Sequence, residues 1–553
     1  MPAARGAPYL SPSMTSPPER MPTVADLVVA RLIQAGVQTL FGMPGGGSNL
    51  DLLEAAGRAG LPFVLSHTET AGGLMACAQA ELTGRPGACL ATLGPGVASL
   101  VNGAAHARLD RVPLMLLTDG MPAGGRDTYL HQRLDHAALL APVTKASITL
   151  ETDHADELFA RAVRLASAPP PGPVHVDLAP DVSRQPATPF RGGTPSLEPP
   201  HAPAADLDHV RSVLAGARRP LVIAGLGVRD TRDADAVRTL CERHDIPALV
   251  TYKAKGAIPD EHPLFGGVFT LGALERPLVQ AADVIIGVGL DPVELLPRPW
   301  DYGAPCVAVG RWPLEQRHLP VAASLVGDLP DMLRVVDECL SPGTDWKAED
   351  IRAHAHRQRA ALHIAARGFA PWQAVEAAAR AAGPDTGVTV DAGAHMFPIM
   401  ALWPARRPRQ ILISNGLSTM GFALPAAIGA ALTDRARRVV ALTGDGGLLM
   451  CLAELATAAR ERLKVTVVVF NDRSLSLIRI KQERMGYPPA GLSLDGVDWQ
   501  AAAAAFCVPA WRARNDDEMA RCLEEAAGTE GPSLVEAVID PGSYPETLRA
   551  VRG

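Results

Sequence analysis

Two acidic residues, Asp445 and Asp472, have the side chains and the positions to hold a divalent cation. Asp445 lies in a Gly-Asp-Gly-Gly turn that follows an apolar run and opens a helical pattern. Such a turn offers free backbone N–H groups and the positive end of a helix dipole to a phosphate. Asp472 ends the next run of β-branched residues. Mg²⁺ usually takes one or two carboxylates together with phosphate oxygens, so the pair predicts a magnesium-bridged diphosphate site.

The elements around these two residues should bring them together. We predict strands over 438–443 and 465–470, joined by a helix over 448–460. Strands connected in this way pair in parallel, so Asp445 and Asp472 should meet at one edge of a sheet. An isolated Gly-Asp-Gly turn is often purely structural, however. The rest of the chain has to decide between a structural turn and a ligand site.

Strand and helix patterns alternate over most of the chain, which is typical of doubly wound parallel sheets with helices on both faces. We predict three such α/β domains, with strands over 37–41, 63–66, 88–93, 113–118, 174–178, 220–224, 248–251, 284–288, 306–309, 387–391, 410–414, 438–443, 465–470 and 533–539. Proline-rich segments predict a tail and a linker. The predicted organisation is a disordered tail over 1–20, domains over 21–186, 206–340 and 370–553, a linker over 187–205 and a connector over 341–369.

The composition is that of a soluble globular protein that acts on small molecules. The 553 residues are 47% hydrophobic and 20% charged, with a net charge of −7. No block of lysine or arginine points to nucleic acid, and no apolar run approaches the roughly 18–20 residues needed to cross a membrane. The eight cysteines include no C-x-x-C pair, which indicates neither a zinc site nor a disulfide framework and fits a cytoplasmic protein.

Several further motifs, taken together with the Gly-Asp-Gly turn, resemble those of thiamine-diphosphate enzymes, and in particular their acetolactate synthase branch. The resemblance covers about residues 21–545. It implies a pyrimidine-binding first domain, a central domain and a diphosphate-binding third domain. The motifs that carry it in the first domain are Thr83-Gly84-Arg85-Pro86-Gly87, Thr92-Leu93-Gly94-Pro95-Gly96, Leu109-Asp110-Arg111-Val112-Pro113 and Gly172-Pro173-Val174-His175-Val176-Asp177.

In the third domain the resemblance implies a metal site and a cofactor site. Mg²⁺ would be held by Asp445, Asp472 and the backbone carbonyl of Ser474, and Asp472 stands where most members have asparagine. His395 could instead be a surface histidine, and Met420 a core residue. The residues that the resemblance assigns to thiamine diphosphate here are Gly393, His395, Ser418, Met420, Gly444, Asp445, Gly446, Gly447, Asp472 and Leu477.

The first domain should supply the carboxylate that activates the cofactor. The resemblance assigns this catalytic and cofactor-binding role to Glu69, at the start of a helix predicted over 70–82. A glutamate at such a position is otherwise a partner of the helix dipole. Gln132 is expected to face the thiazolium and His131 is a candidate proton donor, although both could be ordinary loop residues.

The central domain leaves the flavin of some relatives in doubt. Gly225-Leu226-Gly227 lacks the third glycine of a dinucleotide fingerprint, and such a fragment is more often a tight turn. Residues 290–294, Leu-Asp-Pro-Val-Glu, differ from the arginine-containing segment of flavin-carrying acetolactate synthases, and Lys481 replaces the pocket tryptophan of biosynthetic members. The expected cofactors are therefore thiamine diphosphate and Mg²⁺, with FAD doubtful.

The activity implied by the resemblance is decarboxylation of a 2-oxo acid with transfer of the enamine to a second carbonyl, as in an acetolactate synthase-like carboligase. Two alternatives stay open. One is a non-ligating decarboxylase or aldehyde lyase of the benzoylformate decarboxylase or benzaldehyde lyase type, and the other is a catalytically silent cofactor-binding subunit. The expected partners are a small-molecule 2-oxo acid and further copies of the chain, in a homodimer or homotetramer with active sites at the subunit interface.

Overall fold

Three parallel sheets of six strands each form the protein, as predicted from the alternating pattern. The computed structural model describes residues 21–125, 128–192, 204–314, 319–341 and 343–553. The predicted tail over 1–20 and most of the predicted linker lie outside the described residues. None of the described helices is long and apolar enough to cross a membrane.

The first sheet has the strand order β2-β1-β3-β4-β6-β5. Its helix α1 begins at a capping box in which Thr23 and Asp26 bond each other's backbone N–H groups. The strands are β1 Leu40–Met43, β2 Phe63–Leu65, β3 Gly87–Ala91, β4 Leu114–Asp119, β5 Ala146–Thr149 and β6 Pro173–Leu178; the helices are α1 Val24–Gln34, α2 Ser48–Ala59, α3 Glu69–Thr83, α4 Pro95–Leu109, α5 His136–Leu140, α6 Ala155–Ser167 and α7 Pro180–Ser183.

The second sheet has the order β12-β11-β10-β7-β8-β9, so its strands run outward in both directions from the β7–β10 pair. Ligands of such sheets bind where the strand order reverses, next to the β7 and β10 carboxyl ends. The strands are β7 Pro220–Ala224, β8 Ala248–Val250, β9 Phe265–Val268, β10 Val284–Val288, β11 Cys306–Gly310 and β12 Ala323–Val326; the helices are α8 Ala204–Leu214, α9 Thr231–His244, α10 Arg276–Gln280 and α11 Leu329–Cys339, with α12 Ala348–Ala360 in the predicted connector.

The third sheet, with the order β14-β13-β15-β16-β18-β17, carries the two acidic residues of the predicted metal site. The strands are β13 Gly387–Val390, β14 Ile411–Ile413, β15 Val439–Gly444, β16 Val465–Asn471, β17 Ala510–Ala513 and β18 Ser533–Val538; the helices are α13 Pro371–Ala382, α14 Met396–Leu402, α15 Ala423–Thr433, α16 Asp445–Cys451, α17 Glu454–Arg460, α18 Ser476–Arg484, α19 Trp499–Ala505, α20 Asp516–Ala527 and α21 Tyr544–Arg552.

The first and third domains share one hydrophobic core, because α3 packs directly on α15. Gly429 on α15 lies so close to α3 that a Cβ there would stand 2.2 Å from the Met75 carbonyl oxygen. The N–H of His67 also donates to the buried carboxylate of Glu454 on α17. The two domains that should bind the two ends of the cofactor are thus held in a fixed relation within the chain.

Some predicted elements differ from the structure. The helix predicted over 448–460 is wrong as a single helix, because α16 begins at Asp445 and a turn separates it from α17. The strand predicted over 37–41 begins only at Leu40. The strands β5, β9, β12 and β17 were not predicted. They have only four residues each and are half-exposed or rich in glycine, so a strand period is weak in them.

Candidate active site

The two predicted metal ligands do meet at one edge of the third sheet. Strands β15 and β16 pair in parallel, with Gly444 opposite Phe470. Asp445, the first residue of α16, comes directly after β15, and Asp472 comes directly after β16. Both residues therefore lie at the same edge of the sheet. The crossover rule for parallel strands thus positions both carboxylates.

The Asp445 carboxylate is buried and has one oxygen without a partner. Its Oδ1 accepts a hydrogen bond from the Gly446 N–H at 2.7 Å. Its Oδ2 is buried and bonds to none of the described residues. Because buried polar atoms normally have a partner, this oxygen is a candidate ligand for a cation. Burial, and next the neighbouring charge of Asp472, raise the pKa of Asp445 to about 6.

Asp472 is held in place by the turn that follows it. Its carboxylate accepts hydrogen bonds from the Ser474 N–H at 3.0 Å and from the Ser476 hydroxyl at 2.7 Å. Burial raises the pKa of Asp472. The carbonyl of Ser474, the predicted third ligand, accepts one bond from the Ser476 N–H, so it keeps one lone pair. The Ser474 hydroxyl is buried and has no partner among the described residues.

A cavity of about 300 Å³ opens over these carboxylates. It brings together every third-domain residue that the sequence assigned to the cofactor or the metal. All of its lining residues belong to the third domain: Ala392, Gly393, Ala394, His395, Met396, Ser418, Met420, Gly444, Asp445, Gly446, Gly447, Phe470, Asp472, Ser474, Leu475, Ser476, Leu477, Ile478, Lys481, Tyr544 and Arg552.

His395 is a neutral, buried donor or acceptor at this cavity. Its ring stacks on Phe470 with 5.6 Å between ring centroids, and its Nε2 has no partner among the described residues. Burial lowers the pKa of His395 to about 4. His395 is 5% exposed, so the alternative of a surface histidine is wrong.

The segment 414–420 delivers Ser418 and Met420 to the cavity. Ser418 has a left-handed backbone, with φ of 53°, and its hydroxyl donates to the Asn415 carbonyl at 2.9 Å. The Met420 methyl group lies so near Gly446 that a Cβ on that glycine would be 3.3 Å away. Met420 is only partly buried and lines the cavity, so it is not a core residue.

A buried charge network fixes the segment 414–420 from the other two domains. Asp110 accepts hydrogen bonds from the N–H groups of Asn415 at 3.2 Å and Gly416 at 2.6 Å. Lys253 of the central domain bonds Asp110 at 3.3 Å and Glu81 at 2.6 Å. The Lys253 charge and these N–H bonds outweigh the effect of burial and lower the pKa of Asp110. The network therefore keeps the Asp110 carboxylate ionised beside the backbone of Asn415 and Gly416.

The predicted catalytic residues of the first domain lie outside this cavity. Glu69 is the first residue of α3, after the N-cap Thr68, and is buried. Its carboxylate accepts no hydrogen bond from the described residues, and it lies against the start of α4, where a Cβ on Gly96 would be 2.9 Å from Oε1. Within one chain, Glu69 does not line the cavity of Asp445.

Gln132 and His131 belong to an exposed segment beside the same start of α4. The Gln132 backbone has φ of 57°, and its carbonyl would lie 2.7 Å from a Cβ on Gly94. Both side chains are exposed. Glu69 and Gln132 thus flank one turn of the first domain, while His131 makes no contact that assigns it a role.

Among the cavity residues that the sequence did not predict, two come from a distant part of the chain. Tyr544 and Arg552 reach the cavity from α21, far along the chain from the other lining residues. Tyr544 is buried, and burial together with Asp472 and Asp445 raises its pKa well above the usual range. No motif marks either residue, because only the packing of α21 brings them to the site.

The glycine turn of the central domain does not fit a phosphate. The Glu294 carboxylate accepts hydrogen bonds from the Leu226 N–H at 2.8 Å and the Thr251 hydroxyl at 2.6 Å. The Leu226 N–H, which a phosphate would need as a donor, is therefore already bonded to a carboxylate. Gly225 lies against Leu290, whose Cα would be 2.5 Å from an added Cβ. The fragment is a tight turn, and FAD remains doubtful.

Three family models match the chain, one on each domain. They describe the N-terminal TPP binding domain of thiamine pyrophosphate enzymes over residues 22–139, the central domain over 207–336 and the C-terminal TPP binding domain over 391–537. The fold of three parallel six-stranded sheets agrees with these matches. The chain belongs to the thiamine pyrophosphate enzyme family, in its acetolactate synthase branch.

The branch follows from relatives that match nearly the whole length. Acetolactate synthase isozyme 1 large subunit of Escherichia coli (strain K12) is 29% identical, over 94% of this chain and 94% of its own. Acetolactate synthase of Bacillus subtilis (strain 168) is 28% identical, over 93% of each chain. The acetolactate synthase large subunit of Parasynechococcus marenigrum (strain WH8102) is 31% identical, over 92% of this chain and 86% of its own.

Proposed function

We propose that this protein is a Mg²⁺- and thiamine-diphosphate-dependent carboligase, which decarboxylates a 2-oxo acid and joins the remaining fragment to a second carbonyl. The observation that carries the proposal is the buried, unpartnered Oδ2 of Asp445, next to Asp472 at the edge of a cavity that also holds His395 and Met420. Relatives named acetolactate synthases support the ligation step.

The donor set of the cavity fits the cofactor. Mg²⁺ prefers hard oxygen ligands in octahedral geometry, and Asp445, Asp472 and the Ser474 carbonyl are such ligands. The first turn of α16 offers N–H groups to the diphosphate. Met420 and Leu477 would support the ring system from the apolar side. When bound, thiamine diphosphate supplies the electron sink that makes decarboxylation of a 2-oxo acid possible.

Glu69 would hold the cofactor at its pyrimidine end. Its buried carboxylate has no hydrogen-bond donor among the described residues, so it is available to share a proton with the ring nitrogen N1′. Gln132 would stand beside the reacting carbonyl, and His131 would donate a proton there. These roles follow the family resemblance and the position of Glu69 and Gln132 at one turn of the first domain.

A second copy of the chain would complete the site. The cavity of one chain is lined by third-domain residues alone, and Glu69 of the first domain is not among them. Large apolar side chains are exposed near both halves, among them Leu130 with 82% and Met450 with 63% exposure. We therefore propose a homodimer, or a tetramer of such dimers, in which these side chains are covered.

Mass analysis of the purified protein for thiamine diphosphate and Mg²⁺, followed by assay with pyruvate, tests the proposal. Carbon dioxide release with acetoin, detected after acidification, is the expected result. Free acetaldehyde without acetoin would instead support the non-ligating decarboxylase. Failure to turn over any member of a 2-oxo acid panel, at saturating cofactor and Mg²⁺, would support a catalytically silent subunit.

A further inference from the structure

Arg552, on the last turn of α21, has no anionic partner among the described residues. Its side chain is partly buried and lines the same cavity as Asp445 and His395. No hydrogen bond or salt bridge joins its guanidinium to any described residue, and its Nε is fully buried. Burying a charged group without a partner is costly, so such a group indicates a missing counter-charge.

The surroundings of Arg552 fix its position but do not neutralise it. The guanidinium lies over the ring of Phe397, 5.0 Å from the centroid. Phe397 is in the first turn of α14, which begins directly after His395, so Arg552 stands at the His395 end of the cavity. Arg298 and Arg484 are its charged neighbours, and both repel it. Burial, together with these two like charges, lowers the pKa of Arg552.

The same cavity also contains Asp445 and Asp472, so it has an excess of negative charge once a diphosphate is present. Asp472 adds a second carboxylate beside Asp445. Mg²⁺ with two carboxylates and a diphosphate remains a net anion. A guanidinium is the side chain best suited to compensate it, because its planar fork can bond two phosphate oxygens at once.

We propose that Arg552 binds the diphosphate group of the cofactor and balances the additional negative charge of Asp472. This inference rests on the proposed function, since it needs thiamine diphosphate in the third-domain cavity. The same oxyanion chemistry could come from the carboxylate of a 2-oxo acid. The position of Arg552 beside α14 and His395, at the end of the cavity that the family assigns to the diphosphate, favours the phosphate.

Calorimetric titration of the full-length, cofactor-free protein tests this assignment. Inorganic diphosphate with Mg²⁺ and thiamine diphosphate with Mg²⁺ are the probes, applied to wild type, Arg552→Gln and Arg552→Lys. In Arg552→Gln, the loss of one charge-assisted contact should lower the affinity for both probes about 10- to 100-fold. Arg552→Lys keeps the charge but not the fork of two donors, so it should recover part of the loss. Arg549→Gln, an exposed change on the same helix, is the matched control and should bind as wild type does.

Each other outcome has a definite meaning. If Arg552→Gln binds both probes with wild-type affinity, the inference is overturned. It is also overturned if the diphosphate affinity is unchanged but the KM for pyruvate is raised, because that result would assign Arg552 to the substrate carboxylate. Equal losses in the Gln and Lys variants would also overturn it, because they would indicate lost packing on Phe397. If wild type itself binds neither probe, the proposed function fails rather than this inference alone.

Discussion

Replacing Asp445 by asparagine should stabilise the metal-free protein, although it removes a ligand of the proposed metal site. The Asp445 carboxylate is 5% exposed, has one unpartnered oxygen and lies beside a second acid. An amide keeps the shape, removes the buried charge and can still accept the bond from Gly446. We therefore expect the free energy of unfolding of Asp445→Asn to exceed that of wild type at pH 7.

The magnitude follows from the change in the pKa of Asp445 on folding. Its pKa rises from 3.8 to about 6, and one unit corresponds to about 1.36 kcal/mol, so ionisation costs the folded state about 3 kcal/mol. The sign is set by the raised value. Between pH 4 and 6 the folded state binds more protons than the unfolded state, so the stability of wild type falls as pH rises. The penalty is complete above about pH 6 and absent below about pH 4.

Urea unfolding of dialysed protein at pH 4 to 7.5 measures this difference. The gain of Asp445→Asn over wild type should grow from near zero at pH 4 to about 3 kcal/mol at pH 7. Saturating Mg²⁺ with diphosphate should stabilise wild type and leave the variant unchanged. Glu483→Gln, an exposed neutralisation on α18, is the control. A variant as stable as wild type at pH 7, or less stable, would refute the reasoning.

Three further changes test other parts of the site. Glu69→Gln should abolish turnover but leave the affinity for Mg²⁺ and diphosphate within about twofold, as measured by calorimetry, because Glu69 lies outside the third-domain cavity; a comparable loss of binding would contradict its role. Asp472→Asn should keep turnover, and it should extend Mg²⁺ binding to lower pH because it removes a charge that raises the pKa of Asp445; complete loss of activity would mean a different metal site. Asp110→Ala should lower the free energy of unfolding in urea by about 3 kcal/mol or more, because it leaves Lys253 without one partner. It should also lower the affinity for thiamine diphosphate, because it releases the segment 414–420. Unchanged cofactor affinity would show that the network does not position that segment.

Local rules were enough to predict that Asp445 and Asp472 lie together at one edge of the third sheet. Parallel pairing of two strands joined through a helical connection puts their carboxyl ends together, and this alone brought Asp445 beside Asp472. The glycine turn and the family motifs then identified the cavity residues, including His395 and Met420. The location of these residues was predictable because it depends on residues close in sequence or on a connection with a fixed hand, whereas their roles stay a prediction.

Contacts made only by packing could not be predicted. Arg552 reaches the cavity because α21 folds back across the third domain, and no periodicity or motif in α21 encodes that position. Asp110 was noted only within a motif, yet its carboxylate binds the backbone of Asn415 and Gly416 across a domain boundary. The break between α16 and α17 was missed because the apolar pattern continues through it.

Mixing two inactive variants tests the central claim most directly. Glu69→Gln and Asp445→Asn chains, unfolded and refolded together, should pair at random, and half of the dimers should be mixed. If Glu69 of one chain serves the metal cavity of its partner, each mixed dimer has one intact site, so the mixture should recover about a quarter of wild-type pyruvate turnover. Mixed dimers that form, as shown with two different affinity tags, but have no activity would contradict a site shared between subunits.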